Sequence, residues 1–315
     1  RNFCNKLWNA SRYALMNAEG EDCGQNGGET TLSLADRWIL SRLNATSGEV
    51  RKQIDQYRFD LAAKMLYDFI WGDYCDWYLE LCKPVLNDDA ATDAEKRGTR
   101  QTLVGVLESI LRLMHPFMPY ITEEIWQKVA PLAGVEGDSV SLQPYPDSSS
   151  DLIDELVEED MAWVQEFILG LRRIRAEMDI SPGKPLPVLL ENSSADDREK
   201  VGRYRRFLDS LGRVESLKAL KGDEQAPESA VALVGNLKIC VPMAGLIDKD
   251  AELARLDKNI AKLEKEVQRV TGKLSNESFV AKAPEVVVEK ERKHLAEQKQ
   301  QLDDLQAQRV KIAAL

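Results

Sequence analysis

The first half of the chain repeats hydrophobic residues at the spacing of amphipathic helices. The segments that follow this pattern are 3–15, 34–57, 59–86, 95–115 and 121–130. The prolines of HPFMPY, residues 115–120, interrupt it, because each proline removes a backbone donor and restricts the residue before it. The pattern predicts an up-and-down helical bundle over residues 1–146.

The pattern changes over residues 147–245, where helical and strand-like segments alternate. The helical segments are about 152–178 and about 196–211, and the strand-like segments are 186–191 and 230–243. The last of these contains Gly235 and Asn236, a pair typical of the tight turn in a β-hairpin. Residues 147–245 are therefore predicted to form a small α+β module.

Residues 246–315 carry a heptad repeat. Its apolar positions step alternately by three and four residues and are Leu253, Leu256, Ile260, Leu263, Val267, Val270 and Leu274. Pro284 suits the first turn of a second helix, and weaker heptad spacing continues beyond it. The segment is therefore predicted to form an antiparallel coiled-coil hairpin, in which the numbers of paired residues sum to about 565 and Leu263 lies opposite Leu302. The fold class is mainly α.

Charge distinguishes this arm from the rest of the chain. The formal net charge of −11 argues against a surface that attracts nucleic acid everywhere. Residues 245–315 hold 14 basic and 13 acidic side chains, and the preceding residues hold 28 and 40. The arm is therefore close to neutral, whereas the body is acidic.

The basic residues of the first arm helix are sorted by heptad position. With Leu253 at position a, the outward c and f positions hold Arg255, Lys258, Lys262, Lys265 and Arg269, and Lys273 follows them. We call these six residues the basic stripe. A row of charges about 5–6 Å apart on a rod about 40 Å long fits a polyanion backbone better than a small ligand. A solvated helix face explains the same pattern equally well, so the residues alone leave both interpretations open.

The first predicted helix places polar and aromatic side chains together. The residues concerned are Asn5, Trp8, Asn9, Arg12 and Tyr13. Amide and guanidinium groups can hydrogen-bond to base edges, and aromatic rings can stack on unpaired bases. The same spacing allows Asn5 and Asn9 simply to tie this helix to its neighbours.

Candidate catalytic groups are sparse. The segment 67–84 combines acids with aromatic residues, as a hydrolase site would, but its helical spacing favours core packing with the acids in solvent. His115 ends a helix with no nucleophile near it. The five cysteines form no CxxC pair, which disfavours zinc and indicates a reduced cytosolic protein. The sequence contains no GxGxxG, P-loop or HExxH motif and no apolar run of membrane-spanning length.

Several segments together resemble the C-terminal half of bacterial valyl-tRNA synthetases. They are NKLWNASRY, LADRWILSRLN, YDFIWGDYCDWYLELCKP, LRLMHPFMPYITEEIWQ and KLSNESFVAKAPEVVVEKER, and they occur in this order over essentially the whole chain. The helical part is shared in outline with isoleucyl- and leucyl-tRNA synthetases. The terminal hairpin with NESFVAKAPEVV is the feature that points to the valyl enzymes.

The resemblance implies a role for each part of the chain. Residues 1–146 would form the anticodon-binding bundle of a class I synthetase, with Asn5, Trp8, Asn9, Arg12 and Tyr13 as candidate anticodon contacts. Residues 147–245 would be a junction module, and residues 246–315 a tRNA-binding arm that rests on the outer corner of the tRNA. The partner would be tRNA(Val), and the protein that binds it would be a cytoplasmic monomer.

The resemblance also limits the chemistry that we expect. The ATP-binding signatures HIGH and KMSKS do not occur in the sequence. The chain reads as part of a longer enzyme that attaches valine to tRNA with ATP, and the chain itself is expected to hold no cofactor and no metal. The alternative is a coiled-coil scaffold for another helical protein, although such a scaffold would need apolar residues where the basic stripe lies.

Overall fold

A computed structural model describes residues 2–221, 224–243, 249–275 and 285–314, with side chains excepted for 249–252, 254–255, 285–287, 308 and 311–314. The chain divides into two compact units, residues 1–241 and residues 242–315. The second unit corresponds to the predicted arm. A division of the first unit at residue 146 stays a prediction.

The described part of the first unit is mainly helical, as predicted. Its helices are α1 (Asn2–Ala18), α2 (Leu34–Asp55), α3 (Phe59–Asp68), α4 (Leu79–Leu81), α5 (Lys83–Leu86), α6 (Asp93–Met114), α7 (Pro119–Leu132), α8 (Glu155–Glu177), α9 (Ala195–Arg203) and α10 (Arg205–Gly212). One helix was expected over 59–86, but Phe69–Tyr78 forms a π-helical segment between α3 and α4. His115 follows α6 as its C-cap, and its ring contacts the Thr122 hydroxyl at 2.8 Å.

Capping boxes begin two of the long helices. Ser33 caps α2 and exchanges hydrogen bonds with Asp36, and Thr92 caps α6 in the same way with Glu95. Each box satisfies backbone donors that the first turn of a helix leaves without partners. The start of each of these helices is therefore determined by residues close to it in the sequence.

The core of the bundle contains a buried carboxylate. Asp36 accepts hydrogen bonds from the Tyr78 hydroxyl at 2.7 Å, from the Thr99 hydroxyl at 2.9 Å and from the backbone N–H of Ser33 at 2.9 Å. Burial raises the pKa of Asp36, and these hydrogen bonds oppose that rise by favouring the charged form. The carboxylate thus joins α2, α6 and the π-helical segment at one point.

A small sheet completes the first unit. Its strands are β1 (Leu186–Glu191), β2 (Val214–Ala219), β3 (Ser229–Val234) and β4 (Leu237–Pro242), in the order β2-β1-β4-β3. β1 runs parallel to β2 and antiparallel to β4. Gly235 and Asn236 join β3 to β4, which confirms the predicted hairpin turn. The buried Arg175 of α8 donates to the carbonyls of Ser181, Lys184, Gly212 and Arg213 at 2.6–3.2 Å.

The arm consists of α11 (Lys249–Leu274) and α12 (Glu285–Ala314), which pack together as a helical hairpin. Two ion pairs join the helices, Lys273–Glu291 and Asp257–Arg309. Their residue numbers sum to 564 and 566, which agrees with the predicted register. Gln298 is buried in the hairpin, and its Oε1 has no partner among the described residues.

Candidate nucleic-acid interface

A cleft runs along α1. Its other side is formed by the end of the π-helical segment, by α4 and by α5. Its volume is about 500 Å³, and Asn5, Asn9 and Tyr13 from the predicted anticodon face line it. Asn5 and Asn9 are exposed and Tyr13 is half-buried. The structure therefore brings three of the five candidate residues to one concave surface, with two amides and a phenol available to an unpaired base.

Tyr13 is held at the base of the cleft. Its hydroxyl lies 3.6 Å from the Cys82 sulfur, and the Lys83 ammonium lies 5.6 Å from the centre of its ring. Burial is the main reason that the pKa of Tyr13 is raised, and nearby Cys82 raises it further. The phenol is protonated at physiological pH, as an ordinary tyrosine is, and its hydroxyl faces the Cys82 sulfur.

Trp8 and Arg12 lie on the exposed side of α1 but do not line the cleft. The Trp8 side chain is 41% exposed, which leaves a ring face available for stacking. Arg12 is exposed and has no ion pair among the described residues, so its charge is not neutralised there. These two residues form a rim beside the cleft.

Two lysines of the cleft were missed by the sequence reasoning. Lys6 contacts Asp76 and lies 4.1 Å from the Trp71 ring centroid, and Lys83 lines the opposite wall. Lys6 could have been found, because it lies one helical turn from Asn2 and Asn9 on α1. Lys83 belongs to a different helix, and only the packing of α1 against that helix brings it to the site.

The acids of segment 67–84 are engaged in ion pairs. Their pairs are Lys64–Asp68, Arg42–Asp73, Lys6–Asp76 and Lys83–Glu80. Asp73 is partly buried, and burial raises its pKa while Arg42 opposes the rise. Over the part of the chain that the structure describes, no group of potential metal ligands is present. The ion pairs give these acids a structural role, although Asp73 is partly buried and does not lie in solvent as predicted.

The basic stripe proves to be divided into free and paired cations. Lys258, Lys262 and Lys265 are exposed and have no ion pair within the described ranges. Arg269 instead forms a two-point ion pair with Glu266, with distances of 2.9 and 2.6 Å. Glu266 therefore raises the pKa of Arg269. The hairpin presents a shorter row of unpaired charges than the heptad positions suggested.

The two ends of the stripe differ from its middle. Lys273, the last residue of the stripe, pairs across the hairpin with Glu291 at 2.6 Å. The reason is that Lys273 follows the c and f positions and falls at g, beside the seam. The side chain of Arg255 lies outside the described residues.

Among the described helices, none has the unbroken apolar stretch that crossing a membrane demands.

Two family models match the chain, one after the other. The first, described as the anticodon-binding domain of tRNA ligase, matches residues 36–190. The larger unit therefore contains the anticodon-binding domain of a tRNA ligase. The second, described as the valyl-tRNA synthetase tRNA-binding arm, matches residues 248–313. The chain belongs to the valyl-tRNA synthetase family and carries its tRNA-recognition part.

The matched ranges also bear on the predicted organisation. The first runs from α2 into β1, so it continues through the expected boundary at residue 146 and stops before the rest of the sheet. It begins after α1, so the anticodon face on α1 depends on the geometry described above and on the sequence resemblance. The second range covers α11 and all of α12 except its last residue.

Proposed function

We propose that this chain binds tRNA(Val) at two places, the anticodon loop on the α1 cleft and the outer corner on the arm. The observation that carries the first contact is the exposed α1 surface, where amides, a phenol and an indole surround a cleft flanked by lysines. Stacking platforms and base-edge donors of this kind suit single-stranded RNA loops. The row of Lys258, Lys262 and Lys265 supports the second contact.

The two surfaces have different tasks in this proposal. The α1 cleft reads bases, because its amide and phenol groups can discriminate between base edges. The arm positions the tRNA without recognising its sequence, because a lysine ammonium binds phosphates as a point charge. Recognition and anchoring are thereby assigned to separate compact units.

We further propose that the chain contributes recognition to an enzyme that attaches valine to tRNA with ATP. The absence of the ATP-binding signatures HIGH and KMSKS from the sequence supports a chain that does not bind ATP itself. We propose a monomer, because both recognition surfaces belong to a single chain, and the free cysteines support a cytoplasmic location. Sedimentation with and without tRNA(Val) tests the oligomeric state, and two chains per complex would contradict it.

Arg12→Ala tests the anticodon contact. We expect weaker binding of tRNA(Val) and reduced discrimination against a tRNA with an altered anticodon, by about 1–3 kcal/mol if Arg12 meets a base. Met16→Ala is the matched control, because Met16 lies one turn further along the exposed side of α1. An equal loss of affinity for both tRNAs would mean that Arg12 meets only phosphate, and no loss would remove it from the site.

A further inference from the structure

A second cleft adjoins the α1 cleft. Its volume is about 780 Å³, and it lies between α5 and the α8 and α10 helices of the same compact unit. Glu80 and Lys83 line both clefts, and their side chains pair at 2.5 Å. An extended ligand leaving the first cleft past Lys83 therefore enters the second.

Two guanidinium groups in the second cleft have no acidic partner. Arg172 of α8 is exposed, and its guanidinium carbon lies 5.4 Å from the ring centroid of Trp77. Arg213 follows α10 and is also exposed. Within the described ranges neither residue forms an ion pair. Their charges are therefore available to an anion in the cleft.

The acids that line this cleft are each paired with a cation. Asp88 pairs with Arg206 at 3.1 Å, and Asp209 pairs with Arg205 at 2.7 Å. Glu80, the remaining acid of the lining, pairs with Lys83 as described above. The unpaired charge of the lining is therefore positive, although the chain as a whole is acidic.

Arg213 occupies a backbone conformation that rarely holds a side chain. Its φ of 50° is left-handed, a conformation that glycine adopts without cost. Its carbonyl accepts hydrogen bonds from Arg175 and from the backbone N–H of Leu186. Burial lowers the pKa of Arg175, and the nearby charge of Arg213 lowers it further. The charges of Arg175 and Arg213 thus lie close enough to affect each other, and two hydrogen bonds hold the backbone of Arg213 at this corner.

We propose that this second cleft binds the phosphodiester backbone of the RNA strand whose bases occupy the α1 cleft, with Arg172 and Arg213 each meeting a phosphate. Guanidinium groups suit this role, because their planar fork forms two parallel hydrogen bonds to a phosphate. The inference rests on the proposed binding of the anticodon loop at α1. It adds the α8–α10 side of the unit to the RNA-binding surface.

The test compares Arg172→Gln/Arg213→Gln with the parent chain, using tRNA(Val) and a hairpin RNA that carries only its anticodon stem and loop. Loss of two phosphate contacts should lower the log–log salt slope by about 1.4–1.8 for both RNAs, which over the decade from 1 M to 0.1 M salt weakens binding by about 25- to 60-fold at 0.1 M. Arg173→Gln/Lys128→Gln removes the same charge at exposed positions outside the cleft and should leave both quantities unchanged.

A second variant serves as a control for loss of folding. Arg213→Gly removes the charge of Arg213 and relieves the left-handed strain. Its melting temperature should therefore equal or exceed that of the parent, while RNA binding weakens. If Arg12→Ala weakens tRNA(Val) but neither cleft variant does, this inference fails and the proposed function stands. If the parent does not bind the hairpin and Arg12→Ala is silent, both fail.

Discussion

The unpaired lysines of the arm allow the sharpest test of the proposed anchoring role. Replacing Lys258, Lys262 and Lys265 together with Gln removes three charges and keeps three long polar side chains. All three are exposed and lie within about 10 Å along α11, since seven residues of helix rise by that amount. The change therefore deletes one continuous patch of positive potential and leaves the hairpin seam intact.

The magnitude follows from counterion release. Each neutralised phosphate contributes about 0.7–0.9 to the log–log salt slope, so the triple variant should lower the slope by roughly 2–3. Because this difference accumulates over the decade between 1 M and 0.1 M salt, affinity at 0.1 M should fall by about 100- to 1,000-fold if all three lysines meet phosphates. Fluorescence anisotropy with labelled tRNA(Val), titrated at several salt concentrations, measures both quantities.

The returning helix supplies a matched control. Lys290, Lys293 and Lys299 of α12 are also exposed, and replacing them with Gln makes the same change in net charge. The melting temperature should stay that of the parent in both triple variants, because surface changes without packed partners rarely affect stability. An unchanged slope in the α11 variant would show that the stripe is a solvated face. Equal losses in both variants would refute the assignment to α11.

Two further predictions concern single residues. Lys262→Gln should weaken tRNA(Val) more than Arg269→Gln in the same anisotropy assay, because Arg269 must exchange Glu266 for phosphate before it contributes; the reverse order would contradict this reasoning. Asp36→Ala should lower the free energy of unfolding by about 2–4 kcal/mol, because it leaves the buried Thr99 hydroxyl unpaired, leaves the Tyr78 hydroxyl only the Thr99 carbonyl at 3.3 Å, and removes half of the capping box at Ser33. Urea denaturation measures that loss, and a value under about 1 kcal/mol would show that water or neighbouring groups replace the carboxylate.

Local signals in the sequence account for most of the observed elements. The heptad of α11 fixed the direction of the hairpin and its register, because apolar side chains must face one seam. Gly235–Asn236 marked a hairpin turn, and the capping boxes at Ser33 and Thr92 are local signals of helix starts that the hydrophobic spacing did not use. Each of these features depends on residues within a few positions of one another, which is why a single sequence suffices to predict them.

Features that depend on packing could not be predicted in the same way. The π-helical segment from Phe69 to Tyr78 has apolar spacing that an ordinary helix also satisfies, so the pattern does not distinguish the two over so few turns. Heptad position gave the direction of Arg269 correctly but not its partner, because a long side chain at c can reach back to Glu266. Lys83 joins the α1 cleft only through contact between distant segments.

The acidity of the chain need not oppose the binding of a polyanion. In the α1 cleft, the lining acid Glu80 and the adjacent Asp76 each have a lysine partner, so their charges are largely cancelled where RNA would lie. A potential at a site is set by the groups that remain unpaired there, and net charge is only an average over the whole surface. Screening over about 10 Å at moderate salt further limits the influence of distant acids. Unpaired cations such as Arg12 and Lys262 can therefore direct a polyanion to particular places on an otherwise acidic protein, and the remaining acids would discourage binding elsewhere.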